Sequence, residues 1–471
     1  MGKLTIMKRQ AWEKYIWATL FIKATLILNA CKVVQPYQQP SDAVSNQLYR
    51  DSSKNDTTNN IANISWKEMF TDTLLQKLVQ EGINNNLDLK VAMARIKTAA
   101  ANFKQSKLAL LPSVDANATA GFQRVPSTQF GFPESFLLGI TTSWEADIWG
   151  KLGSAKRAAL ASLLQSDSYK RAVQTQLIAD IVTNYYSLMA YDAQLHITER
   201  TVDNRIKEVE TMKVLKESNV VTGAAVVQSE ANRYSVEITI PDLKQNIRET
   251  ENTLSILLGK TPDTILRTSL EQQTVATNLA TGVPAQLLAN RPDVQQAEYQ
   301  LRNSFEMINV ARTYFYPSFT ITGASGFSAT SLSQLFDPVS FFANITGGLL
   351  QPVFEQGRNK QRLAVAQANQ EEYLNTFKKT ILVAGKEVSD ALYSYKAASE
   401  KQALRGQQIE YLQKSVDYTK ELLKYSSATN YTDVLTSEQS LLSAQLNSVN
   451  DKLQQLNSVV NLYRSLGGGW K

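Results

Sequence analysis

The sequence predicts an α+β chain built from one unit that occurs twice, each unit combining two short strands with long coiled-coil helices. Three observations support this fold class. The chain matches itself at a fixed offset, four segments alternate apolar and polar residues, and the remaining segments carry apolar residues at heptad spacing. With 471 residues, of which 43% are hydrophobic and 20% charged, the chain can bury a sizeable core.

The internal duplication organises the whole chain. Leu111-Pro112-Ser113 recurs as Tyr316-Pro317-Ser318, so the two prolines lie 205 positions apart. Further along, Leu258-Gly259 recurs as Leu466-Gly467 at an offset of 208. A repeat of this length is too long for a solenoid and indicates a duplicated domain. The predicted divisions are a signal peptide at 1–30, a linker at 31–65, a first repeat at 66–265, a connector at 266–285 and a second repeat at 286–471.

Four segments predict strands with one apolar and one polar face. In the first of them, Val114, Ala116 and Ala118 alternate with Asp115 and Asn117, which is a period of two. The same pattern occurs three more times, and the segments group into two hairpins. The predicted strands span about 113–124, 135–149, 318–329 and 340–354.

The other segments predict helices that pack as coiled coils. After Gly357 an apolar seam has alternating spacings of three and four residues. Its members are Leu374, Phe377, Ile381, Ala384, Val388, Ala391, Tyr395 and Ala398. A helix from Gly357 to Tyr425 would be about 100 Å long, and a returning helix from Asn430 to Leu466 about 55 Å. A shorter helix is expected to begin at Pro292, because proline is favoured in a first helical turn.

The N-terminus resembles a secretory signal. Four basic residues precede an apolar stretch from Tyr15 to Leu28, which is followed by Asn29-Ala30-Cys31. Bacterial lipoprotein signals place the cysteine that receives the lipid just after such a small residue, so Cys31 is the predicted lipid anchor. The alternative is an uncleaved short anchor with an incidental cysteine. Residues 32–63 are rich in polar residues and predict an extended linker.

The composition argues against several functional classes. One cysteine and one histidine provide neither a disulfide framework nor a Cys/His zinc site, and His196 lies in an ordinary helical segment. The net charge of +6 is spread along the chain, which argues against a nucleic-acid partner. Gly467-Gly468-Gly469 lacks the following helix of a phosphate loop. We therefore predict no catalytic site, no metal and no cofactor.

Strands of about ten residues with one apolar face suit the wall of a membrane barrel, because backbone polar groups in a bilayer must pair between strands. Four strands are too few to close a barrel, so other copies of the chain would have to complete it, two copies giving eight strands and three giving twelve. The pattern alone leaves a second interpretation open. In that interpretation the chain is a periplasmic coiled-coil protein whose hairpins pack on its own helices.

Five motifs, in order along nearly the whole mature chain, identify a family. They are Trp144-Glu145-Ala146-Asp147-Ile148-Trp149-Gly150-Lys151, Arg291-Pro292-Asp293-Val294, Pro352-Val353-Phe354-Glu355-Gln356-Gly357-Arg358, Tyr431-Thr432-Asp433-Val434-Leu435 and Leu466-Gly467-Gly468-Gly469-Trp470. Together they resemble the TolC-like outer-membrane efflux proteins, in particular the NodT-like lipoprotein subgroup associated with resistance-nodulation-division pumps.

The resemblance implies an α+β membrane protein that forms a homotrimer. Its twelve-stranded β-barrel would lie in the outer membrane and continue as an α-helical tunnel into the periplasm. The implied function is a passive exit duct for small toxic compounds, with no enzymatic activity. Its implied partners are a periplasmic adaptor (membrane fusion protein), an inner-membrane resistance-nodulation-division transporter and outer-membrane lipid. A type I secretion exit channel and a lipid-anchored periplasmic coiled-coil structural protein remain as alternatives.

The resemblance also implies roles for particular residues. The turns at the periplasmic tip would contact the adaptor, and glycine or asparagine there tolerates turn dihedral angles. These tip residues are Val220, Val221, Thr222, Gly223, Ala428, Thr429 and Asn430. Asp433 matches the first of two acidic positions that narrow the pore entrance in some relatives, and Thr436 occupies the second. Asp433 also fits a helix cap. Trp144 and Trp149 are candidate membrane-interface aromatics, or ordinary packing residues.

Overall fold

A computed structural model describes residues 33–40, 48, 50, 61–122, 134–274, 290–425 and 431–470. The described chain forms two compact units. The sheet unit contains residues 33–40, 97–122, 134–165 and 298–376. The helical unit contains residues 48, 50, 61–96, 166–274, 290–297, 377–425 and 431–470.

The described elements follow one another in the order that the duplication predicts. The α-helices are α1 (Trp66–Met69), α2 (Thr73–Asn85), α3 (Leu87–Leu108), α4 (Lys151–Glu217), α5 (Gly223–Glu237), α6 (Thr239–Leu257), α7 (Pro292–Thr313), α8 (Arg358–Tyr425) and α9 (Tyr431–Ser465). The strands are β1 (Ser113–Phe122), β2 (Glu134–Ala146), β3 (Ser318–Ala329) and β4 (Phe341–Leu350). The helix predicted to begin at Pro292 does so, and α8 matches the predicted long helix.

The four strands form one antiparallel sheet in the order β1-β2-β3-β4. Its register places the apolar residues of both predicted hairpins on the same face. Ala118 lies opposite Leu138, Leu138 opposite Phe327, and Phe327 opposite Phe341. A row on the other face consists of Asp115, Thr141, Ala324 and Asn344. The two hairpins therefore join into a single sheet with an apolar face and a more polar face.

Two predicted strand ends are wrong. β2 ends at Ala146 rather than near 149, because the carboxylate of Asp147 accepts hydrogen bonds from the backbone N–H groups of Leu152 (2.8 Å) and Gly153 (2.7 Å). Asp147 thus starts α4 instead of continuing the strand. β4 ends at Leu350 rather than near 354, just before Pro352, which has no N–H for a strand ladder. The predicted end of β1 at 124 lies outside the described residues.

The helix ends explain why the two halves of the sequence match. Gly259 follows α6 with φ 71° and Gly467 follows α9 with φ 89°, a region of backbone space that favours glycine. In both places the amide after the glycine bonds to a carbonyl five residues earlier, as Lys260 does to Ser255 at 3.0 Å. This is the Schellman ending of a helix. The repeated Leu-Gly pair therefore marks the same helix ending twice.

The core of the helical unit is apolar and well buried. Tyr185, Leu188 and Leu254 are fully inaccessible, as are the predicted seam residues Phe377 and Val388. The remaining seam residues that are also buried are Ile381, Ala384, Ala391 and Ala398. The heptad pattern therefore predicts the packing face of α8 correctly.

Candidate functional sites at the sheet base and the helix ends

The two predicted interface tryptophans lie at one end of the sheet, where the strands meet the helices. The indole N–H of Trp144 donates to the carbonyl of Leu110 at 3.0 Å, and that of Trp149 donates to the carbonyl of Pro317 at 2.7 Å. The ring of Trp149 also lies 4.9 Å from that of Tyr316. Both side chains are half-buried. A tryptophan with a satisfied N–H and a partly exposed ring suits either packing or a membrane interface.

The described part of the N-terminal linker packs on α7 within the sheet unit. The backbone N–H of Gln35 donates to Oδ1 of Asn309 at 3.1 Å, and Nδ2 of Asn309 donates back to the carbonyl of Gln35 at 2.9 Å. The ring of Tyr37 meets Phe305 edge-on at 5.6 Å. Residues 33–40 are therefore held in place rather than extending freely, whereas Cys31 lies outside the described residues.

The first predicted tip turn joins α4 to α5. The positive φ in this turn, 60°, belongs to Asn219, and the amide of Val220 bonds to the carbonyl of Leu215 at 2.9 Å, which is again a Schellman ending. Thr222 caps α5 by accepting from the N–H of Ala225, and Gly223 is the first residue of α5. The positive φ of this turn is therefore taken by an asparagine, four residues before Gly223.

The second predicted tip turn, with Ala428, Thr429 and Asn430, lies outside the described residues. The two gate candidates follow it on α9. Asp433 lies exposed in the first helical turn, and Thr436 is exposed one turn later, with its hydroxyl donating to the carbonyl of Thr432 at 2.8 Å. The two side chains lie three residues apart and therefore near one another on one side of the helix.

Within the helical unit, polar contacts give the order of the helices. α5 lies beside α4, where Lys213 pairs with Glu230 at 3.5 Å, and α6 does so where Lys244 pairs with Glu199 at 3.7 Å. α4 lies beside α9, where Gln194 donates to Asn450 at 2.8 Å. α9 lies beside α8, where Arg405 pairs with Asp451 at 3.0 Å. The order is α5/α6, α4, α9, α8, so α5/α6 and α8 are the outer helices.

The outer helices carry exposed apolar residues at seven-residue intervals. On α8 these are Leu404, Tyr411, Tyr418 and Tyr425, with exposed fractions of 64–82%, and we call them the α8 stripe. On α5 the corresponding residues are Val227 and Tyr234, which we call the α5 stripe. Large exposed side chains in such a repeat are typical of a helix face that packs against a partner. The apolar seam predicted from the sequence follows the buried face of α8 and does not include these stripes, although the tyrosine spacing is visible in the sequence.

A buried group of charged residues links α4 to α9. Arg205 is almost inaccessible and pairs with both Glu208 (3.0 Å) and Glu438, and Glu438 also pairs with Lys420 of α8. Sequence reasoning missed this group, because charged residues in polar helical segments give no sign of burial.

Within the described residues, no three His, Cys, Asp or Glu side chains come close enough together to hold a metal ion.

Over the same described ranges, no helix has both the length and the apolar character needed to cross a membrane.

Comparison with known proteins places the chain in a family. The profile of the family described as "Outer membrane efflux protein" matches residues 78–260 and 283–468. The chain is 28% identical to the probable outer membrane lipoprotein SilC of Salmonella typhimurium, over 96% of this chain and 98% of SilC. It is 30% identical to the antibiotic efflux pump outer membrane protein ArpC of Pseudomonas putida, over 94% of each.

The fold is shared with solved channels. The outer-membrane channel OprN superposes with a TM-score of 0.85 at 24% sequence identity, covering 93% of this chain and all of OprN. The chain belongs to the outer membrane efflux protein family. The resemblance inferred from the sequence motifs is thereby confirmed, and the protein is assigned to the outer membrane and the adjoining periplasm.

Proposed function

We propose that three copies of this chain form the exit duct of a tripartite efflux system. The duct would pass small toxic compounds from a periplasmic adaptor and an inner-membrane resistance-nodulation-division transporter to the exterior. The observation that carries this proposal is that one chain supplies a sheet and a helical layer that each end in open edges. Family membership and the fold shared with solved outer-membrane channels support it.

The sheet supports closure by other copies. β1 and β4 are its two edges, and an unpaired edge in a bilayer would leave backbone N–H and C=O groups without partners. Pairing β4 of one copy with β1 of the next removes every edge when the ring closes. Three copies give twelve strands, which leaves a water-filled interior, whereas two copies give eight strands and a filled interior. The apolar face would then contact lipid and the more polar face would line the duct.

The helical layer supports the same arrangement. The α8 stripe and the α5 stripe lie on the two outer helices, at opposite ends of the order α5/α6, α4, α9, α8. Different surfaces that meet head to tail form a closed ring when the rotation between copies is right. Seven-residue spacing on both stripes suits coiled-coil packing between α8 of one copy and α5 of its neighbour.

The mechanism we propose is passive. A duct needs no catalytic residue, since the inner-membrane transporter supplies the energy and selects the cargo. Three copies of Asp433, each beside Thr436, would form a ring of negative charge at the periplasmic entrance and would favour cations over anions. Thr436 contributes a hydroxyl without charge, so the ring is weaker than one with two acidic positions. The name of the relative ArpC supports small toxic compounds as cargo.

We assign adaptor binding to the tip turns. Val220 is largely exposed, and Val221, Thr222 and Gly223 complete the short connection between α4 and α5. Ala428, Thr429 and Asn430 occupy the equivalent connection between α8 and α9 in the sequence. An exposed valine beside polar turn residues suits a small contact that forms and separates reversibly.

We also propose that Cys31 is the mature N-terminus and carries lipid. Val34 contacts Gly150 at the start of α4, near the base of the sheet, and residue 31 is only three residues away, a reach of about 10 Å. The name of the relative SilC, a probable lipoprotein, agrees with this anchor. Labelling cells with palmitate should mark the wild-type protein and not Cys31→Ser, and equal labelling of both would exclude Cys31 as the acylated residue.

The duct is tested on purified protein lacking its acyl groups. We expect a detergent-dependent species whose mass in native mass spectrometry is three times that of one chain, and stepwise ion conductance when it is added to a planar bilayer. Deletion of the chain in its host should sensitise cells in a panel of dyes, antibiotics, bile salts and metals. A protein that stays soluble as a single copy, with its hairpins packed on its own helices, would overturn the proposal.

A further inference from the structure

Two glutamates from different helices share one buried arginine in the helical unit. Glu208 of α4 accepts from Nη1 of Arg205 at 3.0 Å, and Glu438 of α9 pairs with the same nitrogen. The side chains of Glu208 and Glu438 are only 9% and 12% exposed. Two carboxylates this close repel strongly in a poorly solvated site. The repulsion favours the state in which one of the two glutamates is protonated.

The two cations around this pair are not shared equally by the two glutamates. Arg205 of α4 contributes one positive charge at the centre, and Lys420 of α8 contributes a second from a side chain that is 43% exposed. α9 brings Tyr431, whose own charge is absent at neutral pH, and α5 brings the neutral Asn232. Lys420 pairs with Glu438, so of these two cations the one that contacts Glu208 is Arg205, which Glu208 shares with Glu438.

An unpaired polar atom marks the same place. Among the described side chains, Oε1 of Glu208 is inaccessible and has no hydrogen-bond partner, while the inaccessible Oε2 of Glu438 lies against Nη1 of Arg205. Buried polar atoms are normally paired, so the free oxygen of Glu208 needs an explanation. A proton on one glutamate supplies a donor for the second glutamate, and it removes the repulsion that two carboxylates would have.

We infer that Glu208 and Glu438 form a proton-binding clasp between α4 and α9. In the closed clasp Glu208 is neutral and its O–H donates to a carboxylate oxygen of Glu438, while Arg205 neutralises the remaining charge. When the proton leaves to solvent, two carboxylates face one another and the contact between the helices weakens. Arg205, Lys420 and Glu438 line one end of an open cleft of about 680 Å³, which gives the proton a route to water.

The direction of the pH effect follows from the geometry. Burial, then the charge of Glu438, raises the pKa of Glu208 from its ordinary value to about 7. A carboxyl group with a raised pKa in the folded protein stabilises the fold below its ordinary pKa, and that contribution is lost as the pH rises through about 7. The clasp is therefore closed in mildly acidic conditions and open in alkaline conditions.

The clasp lies near the end of α4 that carries the tip turn, nine residues before α4 ends at Glu217 and seven after α9 begins at Tyr431. Its existence depends only on contacts within one chain. Its effect on the duct rests on the proposed function: acid would then hold the helices of the entrance together, and alkali would release them.

Two measurements on the full-length detergent-solubilised protein test the clasp. Infrared difference spectroscopy should show a protonated carboxyl band that titrates near pH 7 in the wild type and disappears in Glu208→Gln. Hydrogen exchange, corrected for intrinsic rates, should be about tenfold slower near residues 205–217 at about pH 5 than at about pH 8.5. In Glu208→Gln the slow exchange should persist at the higher pH, because the amide donates to Glu438 without titrating.

Two further variants complete the design. In Glu438→Gln the titration of Glu208 should move to lower pH, since the like charge has been removed. Glu210→Gln is the matched control, because this side chain is 66% exposed on the same helix and, among the described residues, its ion pair is with Lys213. Glu210→Gln should show the same carboxyl titration and the same hydrogen exchange as the wild type. A wild type without a titrating carboxyl, or a band unchanged in Glu208→Gln, would overturn the clasp, and neither result depends on conductance or on the number of copies.

Discussion

Nη1 of Arg291 lies 2.8 Å from Oε2 of Glu387, so the residue before α7 is tied to the middle of α8. The same guanidinium donates to Asp293 at 2.9 Å and to the carbonyl of Ser465, also at 2.9 Å, at the end of α9. Its side chain is only 5% exposed. The Arg-Pro-Asp motif therefore has a structural purpose, since it joins three helices around one buried cation and starts α7 with a proline.

Replacement of Arg291 should destabilise the helical unit strongly. Arg291→Ala leaves the buried carbonyl of Ser465 without its donor and removes the cation from the partly exposed Asp293 and Glu387, so we expect a loss of about 1–3 kcal/mol in the free energy of unfolding. Arg291→Lys should recover only part of it, because an ammonium lacks the planar fork that reaches all three acceptors. Urea unfolding, monitored by the circular dichroism signal of the helices, gives the free energy of unfolding of both variants. Lys386→Ala, which removes an exposed ion pair with Asp390 next to Glu387, should leave the transition unchanged.

Asp72 should make the stability of the helical unit sensitive to acid. Its carboxylate caps α2 and also accepts from Tyr185 (3.0 Å) and Gln273 (2.9 Å), as well as from Thr268. Burial acts to raise its pKa, but these hydrogen bonds outweigh burial and hold the pKa of Asp72 below its usual value. The stabilisation is therefore present above the ordinary aspartate pKa and lost as the pH falls through the lower folded value.

The variant Asp72→Asn isolates this contribution. An amide presents donors to groups that already donate, so we expect a loss of about 1–2 kcal/mol near neutral pH. The difference from the wild type should shrink below about pH 4, because Asp72 takes up a proton first in the unfolded chain and then, at lower pH, in the folded protein. Unfolding midpoints of the wild type and of Asp72→Asn, measured across this pH range, test this prediction. A difference that stays constant into acid would show that the charge of Asp72 is irrelevant, and Asp88→Asn, exposed at the start of α3, serves as the control.

The α8 stripe should control assembly. Tyr418→Glu places a charge where we propose that a neighbouring copy packs, so the heat-resistant oligomer on semi-native gels should be lost or dissociate at lower temperature. Gln413→Glu adds the same charge on the side of α8 that lines the open cleft, and it should leave the oligomer intact. Equal behaviour of the two variants would exclude the α8 stripe as a contact between copies.

Much of the fold could be predicted because it depends on periodic patterns. The alternation around Ala118 and Leu138 fixed the shared apolar face, and the seam through Phe377 and Val388 fixed the packing side of α8. Strand ends were harder, because Asp147 ends β2 through hydrogen bonds to the backbone of the next helix. No periodicity carries that information.

The candidate sites were less predictable for a related reason. In the first tip turn the sequence offers both Asn219 and Gly223, and only the helix ending shows that asparagine takes the positive φ. The partnership of Arg205 with Glu438 joins residues more than two hundred positions apart, so it depends on how the two repeats pack. Long-range polar contacts of this kind leave no local signal in a sequence.

The charge at Asp433 should set the ion selectivity of the duct. Asp433→Asn removes one negative charge per copy from the proposed entrance ring, so the preference for cations over anions should fall in planar bilayers. Thr436→Asp adds a negative charge one turn away on the same side of α9 and should raise the preference for cations. The two variants therefore change the charge of the proposed entrance ring in opposite directions. Both side chains are exposed, so neither change should alter folding. If both variants retain the wild-type permeability ratio and conductance, the narrowest part of the duct lies elsewhere and Asp433 is an ordinary residue of the first helical turn.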